Sequence, residues 1–246
     1  MFDWGLLLPP FVAGALVALT HVPLGREVLA RGVIFMDLAV AQIAALGYLM
    51  AQLLHWDQPF QAQAAAGAAA LIGAGWLLLC ERYWPAIQEA LIGVTFVLAS
   101  TASLLLLANN PHGGEHMRDL LSGQILWTLW DQLIPLAGVT VAVGLLLFAQ
   151  RWLGRAAFYI AFALAVTASV QLLGVYLVFA TLIVPAIAVR HLHGWRAAGM
   201  GYAIAVMAYA LGLVLSSLYD LPAAPLIVWC IVAVALASRL IPLRSS

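Results

Sequence analysis

The chain has 246 residues, of which 65% are hydrophobic and 8% are charged, and its formal net charge is zero. A soluble domain carries about 25% charged residues, so this composition excludes a water-soluble globular domain and indicates an integral membrane protein. The ten basic residues are all arginine. A chain without lysine lacks the phosphate-binding loop G-x-x-x-x-G-K-[ST], so ATP hydrolysis by that route requires a separate subunit. Zero net charge gives no indication of nucleic-acid binding.

Nine apolar segments predict transmembrane helices. Runs of about 17–25 apolar residues match the ~30 Å thickness of the bilayer hydrocarbon. The connectors between these runs are short and marked by Pro, Gly, Arg or Asp. We therefore expect an all-α polytopic membrane protein with one transmembrane domain over residues 1–246. The predicted spans are 5–22, 32–54, 62–80, 88–108, 132–149, 157–172, 174–189, 198–217 and 223–241.

The segment 62–75 is rich in Ala and Gly, which predicts close helix packing within the lipid. The segment 157–189 is too long for one crossing at 1.5 Å per residue. Gly174 is the predicted break, and Pro185 interrupts hydrogen bonding in the second half. Because broken helices at membrane depth face protein or a cavity, we expect this second half to be internal.

The distribution of arginine predicts the orientation. With nine crossings and the N-terminus outside, only Arg118 falls in an outer loop. This bias follows the positive-inside rule and places the C-terminus in the cytoplasm. The arginines of the inner loops are Arg26, Arg31, Arg82, Arg151, Arg155, Arg190, Arg196, Arg239 and Arg244.

The outer loop after the fourth span carries a cluster of possible metal ligands. Asn110 before Pro111 is typical of a helix start. A helix from there would place His112, Glu115 and His116 on one face, at i, i+3 and i+4. Imidazole and carboxylate groups suit zinc, with manganese or iron as competitors, and three ligands leave an open position for transient handling. The alternative is a hydrated interfacial loop without a specific role.

Asp37 is predicted to lie within the second span, roughly 9 Å along the helix from Arg31. An ionisable residue at that depth is a functional candidate, and Asp37 is predicted to line a cation path. The alternative is a structural pair with a nearby arginine or with the backbone. His191 and His193 either assist metal exit on the inner side or are interfacial residues. All six histidines, including His21, are expected at span ends or in loops.

A family resemblance is carried by four stretches, 24–37, 115–126, 173–186 and 220–225. They resemble the membrane permease subunit of the zinc/manganese class of bacterial ABC importers. They follow the order seen in that family and span nearly the whole chain. Residues 24–37 are similar to the family's first inner loop and the helix that follows it, and 115–126 to its outer loop ending in leucine-leucine-small-glycine. Residues 173–186 are similar to its most recognisable helix, and 220–225 to its last outer turn.

The resemblance implies a type II ABC importer permease fold in the bacterial inner membrane. It also implies a homodimer with two cytoplasmic ATPase subunits and a periplasmic metal-binding protein. Asp37 matches the family's aspartate on the metal path. The family usually has a histidine four residues later, where this chain has Ala41. The short inner loop 150–156, with Arg151 and Arg155, corresponds to the region where the family contacts its ATPase.

The leading hypothesis is therefore a non-enzymatic permease that imports zinc as substrate and holds no permanent cofactor. Manganese or iron is the alternative cargo within the same family. An ion-gradient-driven metal transporter is a second class, although Asp37 is the one acidic residue expected deep in a span. A haem or redox subunit is a third class and would need histidines that face each other within the membrane.

Overall fold

The computed structural model describes residues 4–54, 56, 58–108 and 121–240. Over these residues the chain forms nine α-helices, which confirms the prediction of an all-α protein. Short 3-10 segments occupy Pro85–Ile87 and Ile125–Trp127. The helices are α1 (Trp4–Arg31), α2 (Met36–Leu53), α3 (Pro59–Tyr83), α4 (Gln88–Leu107), α5 (Trp130–Leu153), α6 (Arg155–Leu173), α7 (Val175–Ala188), α8 (Gly194–Tyr219) and α9 (Ala223–Leu240).

Each predicted span coincides with one helix. Among the described residues, α1 to α6 and α8 are long and apolar enough to cross a membrane, whereas α7 and α9 are shorter apolar helices. The protein is therefore a multi-pass membrane protein. We call the end of the bundle where α1 finishes and α2 begins the arginine end. The opposite end, where α2 finishes and α3 begins, is the loop end.

The first helix is longer than the sequence predicts. It continues to Arg31 through Pro9, Pro10 and Pro23, so the predicted end at residue 22 is wrong. Proline is tolerated in membrane helices where neighbouring helices compensate for the lost backbone bond. Here the helix beyond Pro23 packs into the core, and Leu24 is fully buried. The extension converts a predicted inner loop into two further helical turns that carry charged side chains.

Small residues hold α2 and α3 close together. Four alanines recur every fourth residue on α3, and each is at most 4% exposed. Their spacing places them on one helix face, and α3 packs against both α2 and α6. The close approach to α2 is at Gly47, where an added Cβ atom would lie 2.5 Å from the Cβ atom of Ala69. The prediction of close packing through small residues is confirmed. The four are Ala62, Ala66, Ala70 and Ala74.

The predicted break at Gly174 is confirmed, and the structure shows what meets it. Gly174 has a φ of +77° and separates α6 from α7, and Gly123 opposite it has a φ of +65°. The amide of Gln124 donates to the carbonyl oxygen of Leu172 at 3.3 Å. A Cβ atom added to Gly174 would lie 2.3 Å from the amide nitrogen of Gly123. This glycine crossing of Gly123 and Gly174 brings the backbone of the 121–127 segment against the α6–α7 junction.

The second half of the broken pair is internal, as predicted. Leu177, Val178 and Leu182 of α7 are fully buried, and α7 packs against α1 and α9. A hydrogen bond of 2.8 Å joins Thr181 Oγ1 to the hydroxyl of Tyr209 on α8. The centre of the bundle is therefore built around α7.

Candidate functional site

Asp37 is a buried carboxylate in the first turn of α2. It lies closer to the helix start than predicted, because α2 begins at Met36 and not at residue 32. The side chain is nevertheless fully buried. Neither carboxylate oxygen has a hydrogen-bond partner among the residues that the structure describes. The predicted alternative of a bond to the backbone is therefore wrong for this structure.

The neighbouring arginine is bound elsewhere. Arg31 contacts Glu27 at 2.7 Å and Glu81 at 3.2 Å, so it does not pair with Asp37. An isolated charge is costly to bury and requires a partner. The start of a helix favours negative charge, but only modestly. A buried carboxylate in this position is a candidate cation ligand, because a bound cation would supply the missing partner.

One face of α2 leads from Asp37 towards the loop end. Ala41, Ala44, Ala45 and Tyr48 follow Asp37 at helical spacing and share this face. Ala44, Ala45 and Tyr48 line a cavity of about 480 Å³ between α2, α3, α5 and α6. Ala41 is fully buried and lies between this cavity and Asp37. Position 41, where the family resemblance implies a histidine, is thus a packed methyl group.

The polar wall of this cavity consists of amides and hydroxyls. We call the cavity the amide chamber, and its polar lining residues are Tyr48, Gln63, Gln124, Gln132, Thr167 and Gln171. The four glutamines are exposed, so the chamber is open in the single protomer. Gln132 Oε1 accepts a hydrogen bond of 3.1 Å from the amide of Leu129, which fixes one of the amides at the start of α5.

The predicted ligand cluster of His112, Glu115 and His116 lies outside the described residues. Its role as a metal site stays a prediction. Within the described ranges, no group of three or more His, Cys, Asp or Glu side chains is arranged to hold a metal ion. Asp37 therefore has no cluster of such ligands around it in the part of the chain that the structure describes.

The histidines elsewhere differ in their surroundings. His191 and His193 are exposed in the connection between α7 and α8 at the arginine end, and Arg190 Nε donates to His191 Nε2 at 3.2 Å. Their proposed part in metal exit stays a prediction. His21 is fully buried and lies 3.2 Å from Ser169 Oγ of α6. The prediction that every histidine lies at a span end or in a loop is wrong for His21, because α1 continues past Pro23.

A network of charged side chains joins several helices at the arginine end. Arg155 Nη1 lies 3.6 Å from Glu81 Oε1, which Arg31 also contacts. Gln150 donates to Glu27 at 3.1 Å. We call Glu27, Arg31, Glu81 and Arg155 the ionic network. It connects α1, α3 and α6, with Gln150 as its contact on α5.

The predicted inner loop 150–156 is not a loop. Only Gly154, with a φ of +66°, separates α5 from α6. The glycine allows a chain reversal without a longer connector. Arg151 stacks on Trp152, with its guanidinium 3.9 Å from the ring centroid. Arg155 remains largely exposed despite its contact with Glu81.

A further exposed segment lies at the arginine end, between α7 and the start of α8. The connection between α7 and α8 carries Arg190, and Trp195 just after it is 81% exposed. Arg26 of α1 donates to the carbonyl oxygen of Gly194 at 3.4 Å, and Arg239 of α9 donates to that of Ile187. The grouping of arginine, histidine and tryptophan in 190–196 was the available sequence signal for this exposed segment.

The chain is similar to a known protein family and to solved structures of transporters. The family model described as "ABC 3 transport family" matches residues 3–158 and 151–241. PsaBC from Streptococcus pneumoniae, solved in complex with Fab, is similar over 97% of this chain and 92% of its own, with 18% identity and a TM-score of 0.77. An inward-facing structure assigned to the metal-chelate type of ABC transporters is similar over 96% of this chain and 87% of its own, with 14% identity and a TM-score of 0.69.

Proposed function

This chain belongs to the ABC 3 transport family and is the membrane permease of an ABC transporter, and we propose that it imports a divalent metal ion, with zinc as the first candidate. The observation that carries the proposal is Asp37, a fully buried carboxylate without a described partner. The metal-chelate type assigned to one structural relative also supports a metal cargo. Family membership favours ATP-driven transport over the ion-gradient and redox alternatives.

The ion is proposed to enter through the amide chamber and to reach Asp37 along the face of α2 that carries Tyr48, Ala45, Ala44 and Ala41. Ala41 closes this path in the present conformation, because its side chain is fully packed. An ion would pass when the helices around Ala41 separate. Asp37 then offers the ion a negative charge at a membrane depth where other charged groups are rare.

Two features bear on which metal is carried. The histidines of the outer loop, His112 and His116, favour zinc, because imidazole is a common zinc ligand. Asp37 instead offers carboxylate oxygen atoms, which manganese prefers. Manganese or iron is therefore the second candidate cargo. The outer loop then acts as an entrance or hand-off site, and Asp37 acts as the transport ligand.

The proposal includes an assembly and an orientation. Two copies of this chain act with two cytoplasmic ATPase subunits, and a periplasmic binding protein delivers the metal to the loop end. The arginine end faces the cytoplasm of the bacterial inner membrane, which agrees with the positive-inside rule. Arg151 and Arg155 are the proposed ATPase contact, and the exposed segment 190–196 is a second candidate for that contact.

The first test compares metal uptake by Asp37→Asn and wild type in cells that also contain the ATPase and binding protein. A dication about 4 Å from a carboxylate gains roughly 8 kcal/mol at an effective dielectric constant of about 20. Most of this gain offsets lost hydration, and a residual loss of about 1.4 kcal/mol corresponds to a factor of about ten. We expect uptake to fall about tenfold or more.

The matched control is Asp131→Asn, which changes an exposed carboxylate at the loop end and should keep normal uptake. Equal uptake by the two variants would remove Asp37 from the path. Replacing His112, Glu115 and His116 together by alanine should impair uptake mainly at low external metal. Zinc, manganese and iron are compared side by side. Full-rate zinc movement by the purified chain alone, in liposomes without ATP, would contradict the ABC mechanism.

A further inference from the structure

The amide chamber has the wrong chemistry for binding a dehydrated zinc ion, the first candidate cargo. Zinc is held by imidazole, thiolate or carboxylate groups. The residues that line the chamber supply amides, hydroxyls and apolar surface. Amide and hydroxyl oxygens accept hydrogen bonds from water, and the waters around a dication are strong donors. The lining therefore suits a cation that keeps its water shell.

The size of the chamber agrees with such an occupant. Its volume is about 480 Å³. A water molecule occupies about 30 Å³ of liquid, so six waters around an ion fill roughly 180 Å³. The remaining space holds about ten more waters at the same density. A complete hydrated dication fits without losing a ligand.

Thr167 provides an independent observation. Threonines inside helices commonly bond their hydroxyl to a carbonyl oxygen one turn earlier, and Thr95, Thr140 and Thr181 do so at 2.8, 2.9 and 2.7 Å. Thr167 does not, and its Oγ1 has no hydrogen-bond partner among the described residues. The residue is only 9% exposed and lines the chamber. A buried hydroxyl without a partner is unfavourable, so an occupant of the chamber that brings a hydrogen-bonding atom to Thr167 would be stabilised.

We propose that the amide chamber binds the divalent cation as the hydrated ion. Its amides and hydroxyls hold the bound waters by hydrogen bonds and do not touch the metal. Asp37 lies roughly 11 Å further along α2 and is the first side chain on this face that replaces water in direct contact with the ion. The inference rests on the proposed function, and it specifies that the hydrated ion, and not a dehydrated ion or an organic chelate, enters the path.

The experiment isolates the chamber from the other candidate ligands. The full-length chain is prepared in lipid nanodiscs with Asp37→Asn and with His112, Glu115 and His116 replaced by alanine. Manganese(II) is the probe, because its electron paramagnetic resonance spectrum distinguishes the six-water ion from an ion with protein ligands. We expect bound manganese with the spectrum of the six-water ion. Cobalt(III) hexaammine, which cannot exchange its ligands, should displace it.

Two variants in this background test the named side chains. Thr167→Val with Gln171→Met should weaken manganese binding about tenfold, the equivalent of about 1.4 kcal/mol. Thr140→Val with Gln61→Met changes the same residue types away from the chamber and should leave binding unchanged. Gln171→Met alone, at an exposed position, should weaken binding in the same direction with little risk to folding.

Several results would overturn the inference. They are a spectrum of manganese with protein ligands, the absence of displacement by cobalt(III) hexaammine, or equal binding by the chamber variants and their control. Displacement by manganese–EDTA as efficient as that by the hexaammine would point to a chelate site and also refute the proposal. Normal metal uptake combined with any of these results leaves the proposed function intact. Absence of metal uptake by wild type would instead refute the proposed function, whatever the chamber binds.

Discussion

Replacing Gly174 by alanine should destabilise the protein strongly. The residue has a φ of +77° and a ψ of 161°, in a region that only glycine adopts readily. Its hydrogen atoms also face the backbone of the opposite segment. An added Cβ atom would lie 2.3 Å from the amide nitrogen of Gly123 and 2.5 Å from the carbonyl carbon of Ser122. Both contacts involve backbone, which cannot move aside as a flexible side chain does.

The magnitude follows from these two effects. A non-glycine residue in a sparsely populated backbone conformation costs about 1–3 kcal/mol. Inserting a methyl group into a packed interior costs about another 1–3 kcal/mol. The expected destabilisation is therefore about 2–6 kcal/mol, a large part of the roughly 5–15 kcal/mol that stabilises a typical protein. Separation of the 121–127 segment from the α6–α7 junction would relieve the clash and disturb one wall of the amide chamber.

The free energy of unfolding is measured by denaturant titration in mixed micelles, together with metal uptake at equal protein level. Gly138→Ala is the matched control, because an added Cβ atom at Gly138 meets nothing within 4 Å. The control should be as stable as wild type or slightly more stable, since alanine favours helix. If Gly174→Ala and Gly138→Ala have the same unfolding free energy, the glycine crossing does not have the structural role assigned to it.

Two further changes test the packing of the bundle. Arg31→Gln leaves Glu27 and Glu81 without their shared cation and should lower the unfolding free energy by about 1–3 kcal/mol, since the network is partly buried. Arg82→Gln, at an exposed arginine, is its control, and equal thermal stability of the two would contradict the assignment. Ala70→Leu should destabilise the packing of α3 in the bundle by about 1–3 kcal/mol, because Ala70 is fully buried. The exposed Ala68→Leu serves as control, and the idea fails if Ala70→Leu melts at the same temperature.

The helical spans could be predicted because their signal is local. Apolar runs of membrane length stand out from connectors marked by Pro, Gly and Arg, and each predicted run coincides with a helix. The break at Gly174 was likewise visible, since the uninterrupted apolar segment was longer than one crossing. The Ala- and Gly-rich composition of 62–75 indicated that α3 packs closely, and its buried alanines agree with this.

The features that could not be predicted depend on contacts between distant segments. The end of α1 was placed too early, because Pro23 signals a break locally while packing of Leu24 keeps the helix intact. The isolation of Asp37 was also hidden, since it requires knowing that Arg31 contacts Glu81 from another helix. The chamber combines side chains from four helices and the 121–127 segment, so no single stretch of sequence carries it.

The stretches that carry the family resemblance and the polar side chains of the candidate path have different roles in this permease. Ser122 and Gly123 meet Gly174, just before α7, through backbone at the glycine crossing, so the sequence pattern of these stretches reflects geometry more than ligand chemistry. The candidate path depends instead on neutral amides followed by one carboxylate. Neutral groups hold a hydrated ion weakly, which allows rapid exchange, and a transport path must release what it binds. Because the charge of Asp37 lies beyond the packed Ala41, Asp37 attracts the ion strongly only after the helices around Ala41 have separated. An imidazole at position 41 would add a ligand before that stage, so its absence fits a path that delays direct metal binding until Asp37 is reached.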